Sequence, residues 1–162
     1  MGEVETQVRR LIDESDIRAL MYRYARGITT KDRQLVLDCF TDDLELDYGF
    51  RQIHGKDEFR EFQSGSSAAP TSAVLQLERS LASTQAISNI EIEITGDEAA
   101  VRITGLSIHV GPRGDETVAQ VRSLHYTDKC VRLAEGWRIA RRQYTPQWTF
   151  VVPGILPAQS GK

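Results

Sequence analysis

Apolar positions early in the chain recur at helical spacing. Ile17, Leu20, Met21, Tyr24 and Ile28 fall at offsets of three, four, seven and eleven, which is one face of an α-helix over residues 15–28. Ser15 is placed to cap it. A second short helix is expected from Lys31 to Phe40, with Leu35, Cys39 and Phe40 turned inward. "DDLELDYGF" then alternates Leu44, Leu46 and Tyr48 against Glu45 and Asp47, a strand with one buried face, turned by Gly49. "GKDEFREF" restarts a helix with Phe59 and Phe62 on one side, and "SGSSAAPTS" between Ser64 and Ser72 reads as a loop broken by Pro70. From Thr84 to Thr149 the period changes to two, in four runs separated by turns at Gly96–Asp97, "GPRGDE" and Glu135–Gly136. Helices first and an antiparallel meander last is an α+β order. It predicts a strongly curved antiparallel sheet that wraps the N-terminal helices and leaves an apolar pit between them.

Composition narrows this without changing it. A chain of 162 residues fits one domain with a core of its own, and 40% hydrophobic against 27% charged residues is globular. No apolar run approaches the length of a membrane span, so no membrane partner is expected. The start "MGEVETQVRR" lacks the apolar stretch of a secretory signal, and a cytoplasmic location is expected. A net charge of -3 argues against nucleic acid as a partner. Cys39 and Cys130 have no metal-type spacing and sit in apolar patterns, as buried thiols do.

The candidate chemistry is sparse. No two of His54, His109 and His125 have metal-ligand spacing, and neither a metal nor a cofactor is expected. Ile103, Gly105, Ser107 and His109 share a strand parity that turns His109 toward the mouth of the pit. Tyr48 ends its strand at a glycine turn and is placed at the rim. "QYTPQWTFVVPGILP", with Trp148 and Phe150, is apolar for a terminus, so residues from about 146 onward are expected to close the pit or pack on a partner.

The segments "RYARGITTKD", "FTDDLELDYG", "SNIEIEITGDEA" and "YTDKCVRLAEGWRIARR" together resemble the SnoaL-like branch of the nuclear-transport-factor-like cone fold. That group includes polyketide cyclases, scytalone dehydratase and lindane dehydrochlorinase. The resemblance spans roughly residues 10–150. It implies that Tyr24, Leu124 and Tyr126 face the pit, that His125 faces away, and that Arg142 stands on the pit wall or pairs with Asp43 or Asp128. In the dehydratases of that group, an Asp near the end of the first helix orients a His at the second strand, which takes a proton from the substrate. The matching positions here are Thr29 and Gln85, which hydrogen-bond but do not serve as a base at neutral pH.

The implied function is a cofactor-independent cyclase, isomerase or lyase for a hydrophobic oxygenated ligand. Tyr24, Thr29, Gln85 and Arg142 would act by hydrogen bonding, and Tyr48, Ile103, Ser107, His109, Leu124, Tyr126 and Trp148 would line the ligand. Two other classes stay open: a non-catalytic ligand-binding protein, and a structural subunit like the small chains of ring-hydroxylating dioxygenases. A homodimer is expected, formed through an outer sheet face bearing Val118, Gln120 and His125.

Overall fold

The computed structural model describes residues 2–64, 77, 79–154 and 156. The loop expected between Ser64 and Ser72, after Ser64 itself, and the last residues of the chain fall outside them. The elements are α1 (Glu3–Thr30), α2 (Arg33–Leu37), β1 (Phe40–Asp47), β2 (Gln52–His54), α3 (Gly55–Ser64), β3 (Ala82–Thr95), β4 (Glu98–Arg113), β5 (Glu116–Leu133) and β6 (Gly136–Pro153). They build an α+β domain in which one six-stranded sheet, ordered β2-β1-β6-β5-β4-β3, wraps the helices.

The sheet is mixed where the sequence pattern predicts an antiparallel one. β3 to β6 form the expected meander, but β1 pairs with β6 in parallel, and β2 adds an antiparallel edge strand. The short helix α2 ends at Leu37 because Phe40 already belongs to β1. α1 is longer than expected, starting at Glu3 instead of Ser15.

The core lies in the concave side of the sheet. α1 contributes Ile17, Leu20, Met21 and Tyr24, which meet Phe40, Leu44, Phe59, Val101, Leu124 and Ile139 from the sheet and α3. Cys39 and Cys130 are free and buried, as expected. Burying this apolar surface is the main favourable term for folding. One polar anchor fixes the helix against the sheet's end: Asp13 is buried and receives Arg132 Nη2 at 2.6 Å and Trp137 Nε1 at 3.3 Å. Where α1 turns into α2 the packing is tight at Gly27, since a Cβ there would stand 2.7 Å from Val36 Cγ2 and force that side chain to shift.

Bulges give the sheet its curvature and re-aim its side chains. β3 is kinked at Asn89, which takes a left-handed φ of 50° where the pairing with β4 shifts between Ser88 and Glu91. In β6 the register shifts twice. Cys130 pairs with Ile139 and Lys129 with Arg141, so Ala140 is the extra residue; Leu124 pairs with Pro146 and Ser123 with Trp148, so Gln147 is the other.

Candidate functional site

A cavity of about 370 Å³ opens between the C-terminal half of α1, the Tyr48–Phe50 turn, α3 and the concave side of β3, β4 and β5. A larger depression of about 730 Å³ lies on the solvent side of β1, β6, β5 and β4, but its charges are engaged in ion pairs such as Arg141 with Glu45 and Lys129 with Glu98. The smaller cavity gathers most of the candidate residues.

Its walls are aromatic. Tyr24, Tyr48, Phe50, Phe62, Tyr126 and Tyr144 line it, and Tyr48 stacks on Phe62 at 5.2 Å. The hydroxyls of Tyr24 and Tyr126 meet at 3.5 Å. Burial raises the Tyr48, Tyr126 and Tyr144 phenols above their ordinary range, so they remain protonated donors at neutral pH.

Arg142 lies behind this wall and not in it. The bulge at Ala140 turns it to the same side as Trp137 and Ile139, although a strict alternation would oppose them. Its guanidinium is 3% exposed and donates to Asp128 through Nε at 2.7 Å and Nη2 at 2.6 Å. It is also sandwiched between the rings of Tyr24 and Tyr126, 4.1 and 4.0 Å from their centroids. Burial works against the guanidinium's charge, but Asp128 and the two phenols outweigh it and hold Arg142 protonated. Burial also pulls the Asp128 carboxyl upward against that guanidinium. Of the two carboxylates weighed as partners, Asp128 is the one, and Asp43 is exposed.

The opposite wall is polar. Gln85 and Ser107 are partners across β3 and β4, and both line the cavity. Gln85 is 7% exposed and its Nε2 is buried with no hydrogen-bond partner. Ser107 Oγ lies 3.0 Å from His109 Nε2, and Ser80 Oγ lies 3.2 Å from His109 Nδ1, so both ring nitrogens are held by hydroxyls. Burial, with Arg122 and Lys31 nearby, pushes the His109 pKa down to about 4, so the imidazole is neutral at pH 7.

Three bonds seat α1's end on this wall. Ser83 Oγ donates to Ile28 O at 3.1 Å, Lys31 Nζ donates to Ser80 O at 2.6 Å, and the Gln85 amide donates to Thr29 Oγ1 at 2.9 Å. Thr29 is thereby spent on the backbone and does not line the cavity, whereas its neighbours Ile28 and Lys31 do.

Tyr24, Tyr48, Gln85, Ser107, His109, Leu124 and Tyr126 thus converge on one cavity; besides Arg142, which is held off the cavity by Asp128, four expectations need correction. Thr29 pins the strand. Ile103 is 3% exposed in the core, below the cavity. Trp148 is 50% exposed and stacks on Phe150, because the bulge at Gln147 turns it outward from the side that Tyr144 faces. Val118 and Gln120 are buried on the concave side, 4% and 2% exposed, because period two runs unbroken along β5; of that trio only His125 is on the outer face. The segment from Pro146 to Pro153 is the outer half of β6, paired with β5. Sequence reasoning missed Arg122 and Tyr144, whose hydrogen bond of 3.2 Å closes one side of the cavity. Arg122 shares strand parity with Leu124 and Tyr126, and that signal would have found it.

A model of the SnoaL-like domain matches residues 9–143. The chain belongs to the SnoaL-like domain family. Among solved structures, it is similar to a candidate scytalone dehydratase from Novosphingobium aromaticivorans, with 20% identity over 94% of this chain and 97% of that one, and a TM-score of 0.72. A hexachlorocyclohexane dehydrochlorinase, LinA type 2, superposes with a TM-score of 0.76 at 14% identity over 96% of this chain and 99% of that one. A candidate aromatic ring hydroxylase from Novosphingobium aromaticivorans gives 0.71 at 23% identity over 89% and 94%. At these identities the likeness is one of fold. Among curated proteins none matches the sequence. Among the described residues no helix is long and apolar enough to cross a membrane, and no cluster of side chains has the makeup of a metal site.

Proposed function

We propose that this SnoaL-like protein is a small-molecule isomerase or lyase that moves a proton on a hydrophobic, oxygen-bearing ligand in the tyrosine-lined cavity. The observation that carries the reading is the pairing on one wall of an unpartnered buried donor, Gln85 Nε2, with a neutral imidazole, His109. A buried amide hydrogen without an acceptor is costly, and a ligand carbonyl or hydroxyl oxygen would relieve it. The tyrosine hydroxyls offer further donors to the same ligand. The apolar rings around them keep water from competing and strengthen each polar contact.

In this reading His109 takes the role that the Asp-His dyad plays in other members of the group. The ligand oxygen accepts from Gln85. The Ser107 hydroxyl turns aside from His109 Nε2, which removes a proton from the carbon beside the carbonyl; the C–H electron pair moves onto the oxygen, and the developing enolate is stabilised by the same donor. Return of the proton to another carbon gives an isomer, and departure of a β-substituent with the electron pair gives a lyase product. The dehydratase and dehydrochlorinase names of the structural neighbours support an eliminating chemistry.

A non-catalytic ligand-binding protein is the second reading, favoured by one observation: an imidazole with a pKa of about 4 is a weak base. Gln85→Ala separates the two. An enzyme loses more turnover than binding, because a hydrogen bond to a developing enolate strengthens in the transition state. A binding protein loses affinity alone, and the ligand identified by native mass spectrometry of the purified chain is recovered unchanged.

A further inference from the structure

The chain has a net charge of -3, yet the walls of the tyrosine-rich cavity hold three cations, Lys31, Arg33 and Arg122, and no Asp or Glu among the described residues. Arg122 is half-buried. Arg51 and Arg132, which are also half-buried, meet Glu58 and Asp13, and the buried Arg142 meets Asp128. Arg122 has no carboxylate among the described residues. Its Nε and Nη1 donate only to hydroxyls, Thr149 Oγ1 at 3.4 Å and Tyr144 Oη at 3.2 Å, and its Nη2 meets no acceptor among the described residues. A guanidinium drawn partly out of water without a counter-charge is unfavourable, and an anion arriving beside it offsets that.

Lys31 and Arg122 flank His109. Arg122 is the register partner of Ser107, whose hydroxyl meets His109 Nε2. Lys31 Nζ donates to the carbonyls of Leu81 and Ser80, and the Ser80 hydroxyl meets His109 Nδ1. Both charges act on the imidazole and help to keep it neutral. Gln85, Ser107 and Arg122 are partners in turn across β3, β4 and β5, so Gln85 and Arg122 stand two strand spacings apart in one row, about 10 Å. A two-ring ligand whose oxygen accepts from Gln85 has its far end beside Arg122.

We propose, on the reading above that a ligand oxygen accepts from Gln85, that the ligand is a keto acid: its ketone oxygen binds Gln85, and a carboxylate at the other end of its ring system is held by Arg122 with Lys31 beside it. The two coplanar oxygens of a carboxylate match the edge of a guanidinium. Two Nζ hydrogens of Lys31 are taken by carbonyls, and the third is left for the ligand. Arg33, exposed on the same cavity wall, adds attraction that draws an acid toward the opening.

The probes are 6-carboxy-2-tetralone, ionised at pH 7, and its primary carboxamide, which keeps the shape without the charge; each is titrated into the full chain by calorimetry at low salt. The acid is expected to bind about tenfold more tightly than the amide, or better. Arg122→Gln is expected to bring that ratio to about one, and Arg122→Lys, which restores the charge, to recover part of it. Lys31→Gln should lower the ratio less, and Arg113→Gln, at the exposed end of β4 and outside the cavity lining, should leave it unchanged. Damage to the cavity as a whole affects both probes alike and does not move the ratio. An acid that binds no more tightly than its amide overturns the proposal, as does a preference that survives Arg122→Gln combined with Lys31→Gln. Deuterium exchange into uncharged 2-tetralone separates this from the proposed function: exchange without an acid preference removes the carboxylate and leaves proton transfer standing, and an acid preference without exchange supports the carboxylate and removes proton transfer.

Discussion

The hydroxyl of Thr29 accepts the backbone N–H of Gln85 at 2.9 Å, joining the end of α1 to the start of β3. The contact is a structural one, and it leaves the Gln85 side chain free to face the cavity.

Thr29→Val removes that acceptor without changing shape. The Gln85 amide is left unpaired and partly buried, which costs about 1–3 kcal/mol. Urea unfolding is expected to show the loss as a lower midpoint at unchanged slope. Ligand affinity should stay within about twofold, because Thr29 does not line the cavity. A tenfold loss of affinity at unchanged stability would place Thr29 in contact with the ligand.

Most of the architecture was legible because period two and period 3.6 hold over long runs. The curved meander, the helix bearing Ile17 to Ile28 and the seven residues that converge on the cavity all follow from that pattern and the family likeness. What escaped was local. Ala140 and Gln147 each insert one residue into β6; the first turns Arg142 inward, as the family likeness implied against strand parity, the second turns Trp148 outward, and nothing in their side chains announces a bulge. The first turns of α1 escaped because Val4, Val8 and Leu11 are exposed and lie off the core-facing stripe, which begins at Ile17. Thr29 escaped because a helix-end hydroxyl serves a backbone amide as readily as a ligand.

The Arg142–Asp128 pair is expected to behave as a buried ion pair does. Arg142→Met leaves the Asp128 carboxylate buried without its partner, at a cost of about 3–5 kcal/mol. Arg142→Met combined with Asp128→Leu should cost less than Arg142→Met alone, because no uncompensated charge remains. Chemical denaturation of the two single variants and the double one measures the coupling, and additive losses would show that the charges do not depend on each other.

His109 sets a pH dependence of stability. Its folded pKa of about 4 lies below the unfolded value near 6.5, so on acidification the unfolded chain takes up this proton first. The native state should therefore lose stability as pH falls from about 6.5 to about 4 and be indifferent to this group above that range. Asp13, held low by its hydrogen bond from Arg132, lies below this window, and the Asp128 carboxyl, raised by burial, is common to both proteins compared, so the difference between them reports His109. Unfolding midpoints at pH 7 and pH 4.5 should differ more for the wild type than for His109→Gln, and equal differences would mean that the imidazole titrates normally.

The most direct test of the account is proton transfer itself. 2-Tetralone, a small ring ketone with exchangeable hydrogens beside its carbonyl, is incubated with the protein in D₂O, and loss of those hydrogens is followed by ¹H NMR. The account predicts exchange above the buffer rate with the wild type, loss of that excess with His109→Gln while 2-tetralone still binds, and at least a tenfold reduction with Gln85→Ala. Binding of 2-tetralone to the wild type with no excess exchange, or undiminished exchange in His109→Gln, would contradict it.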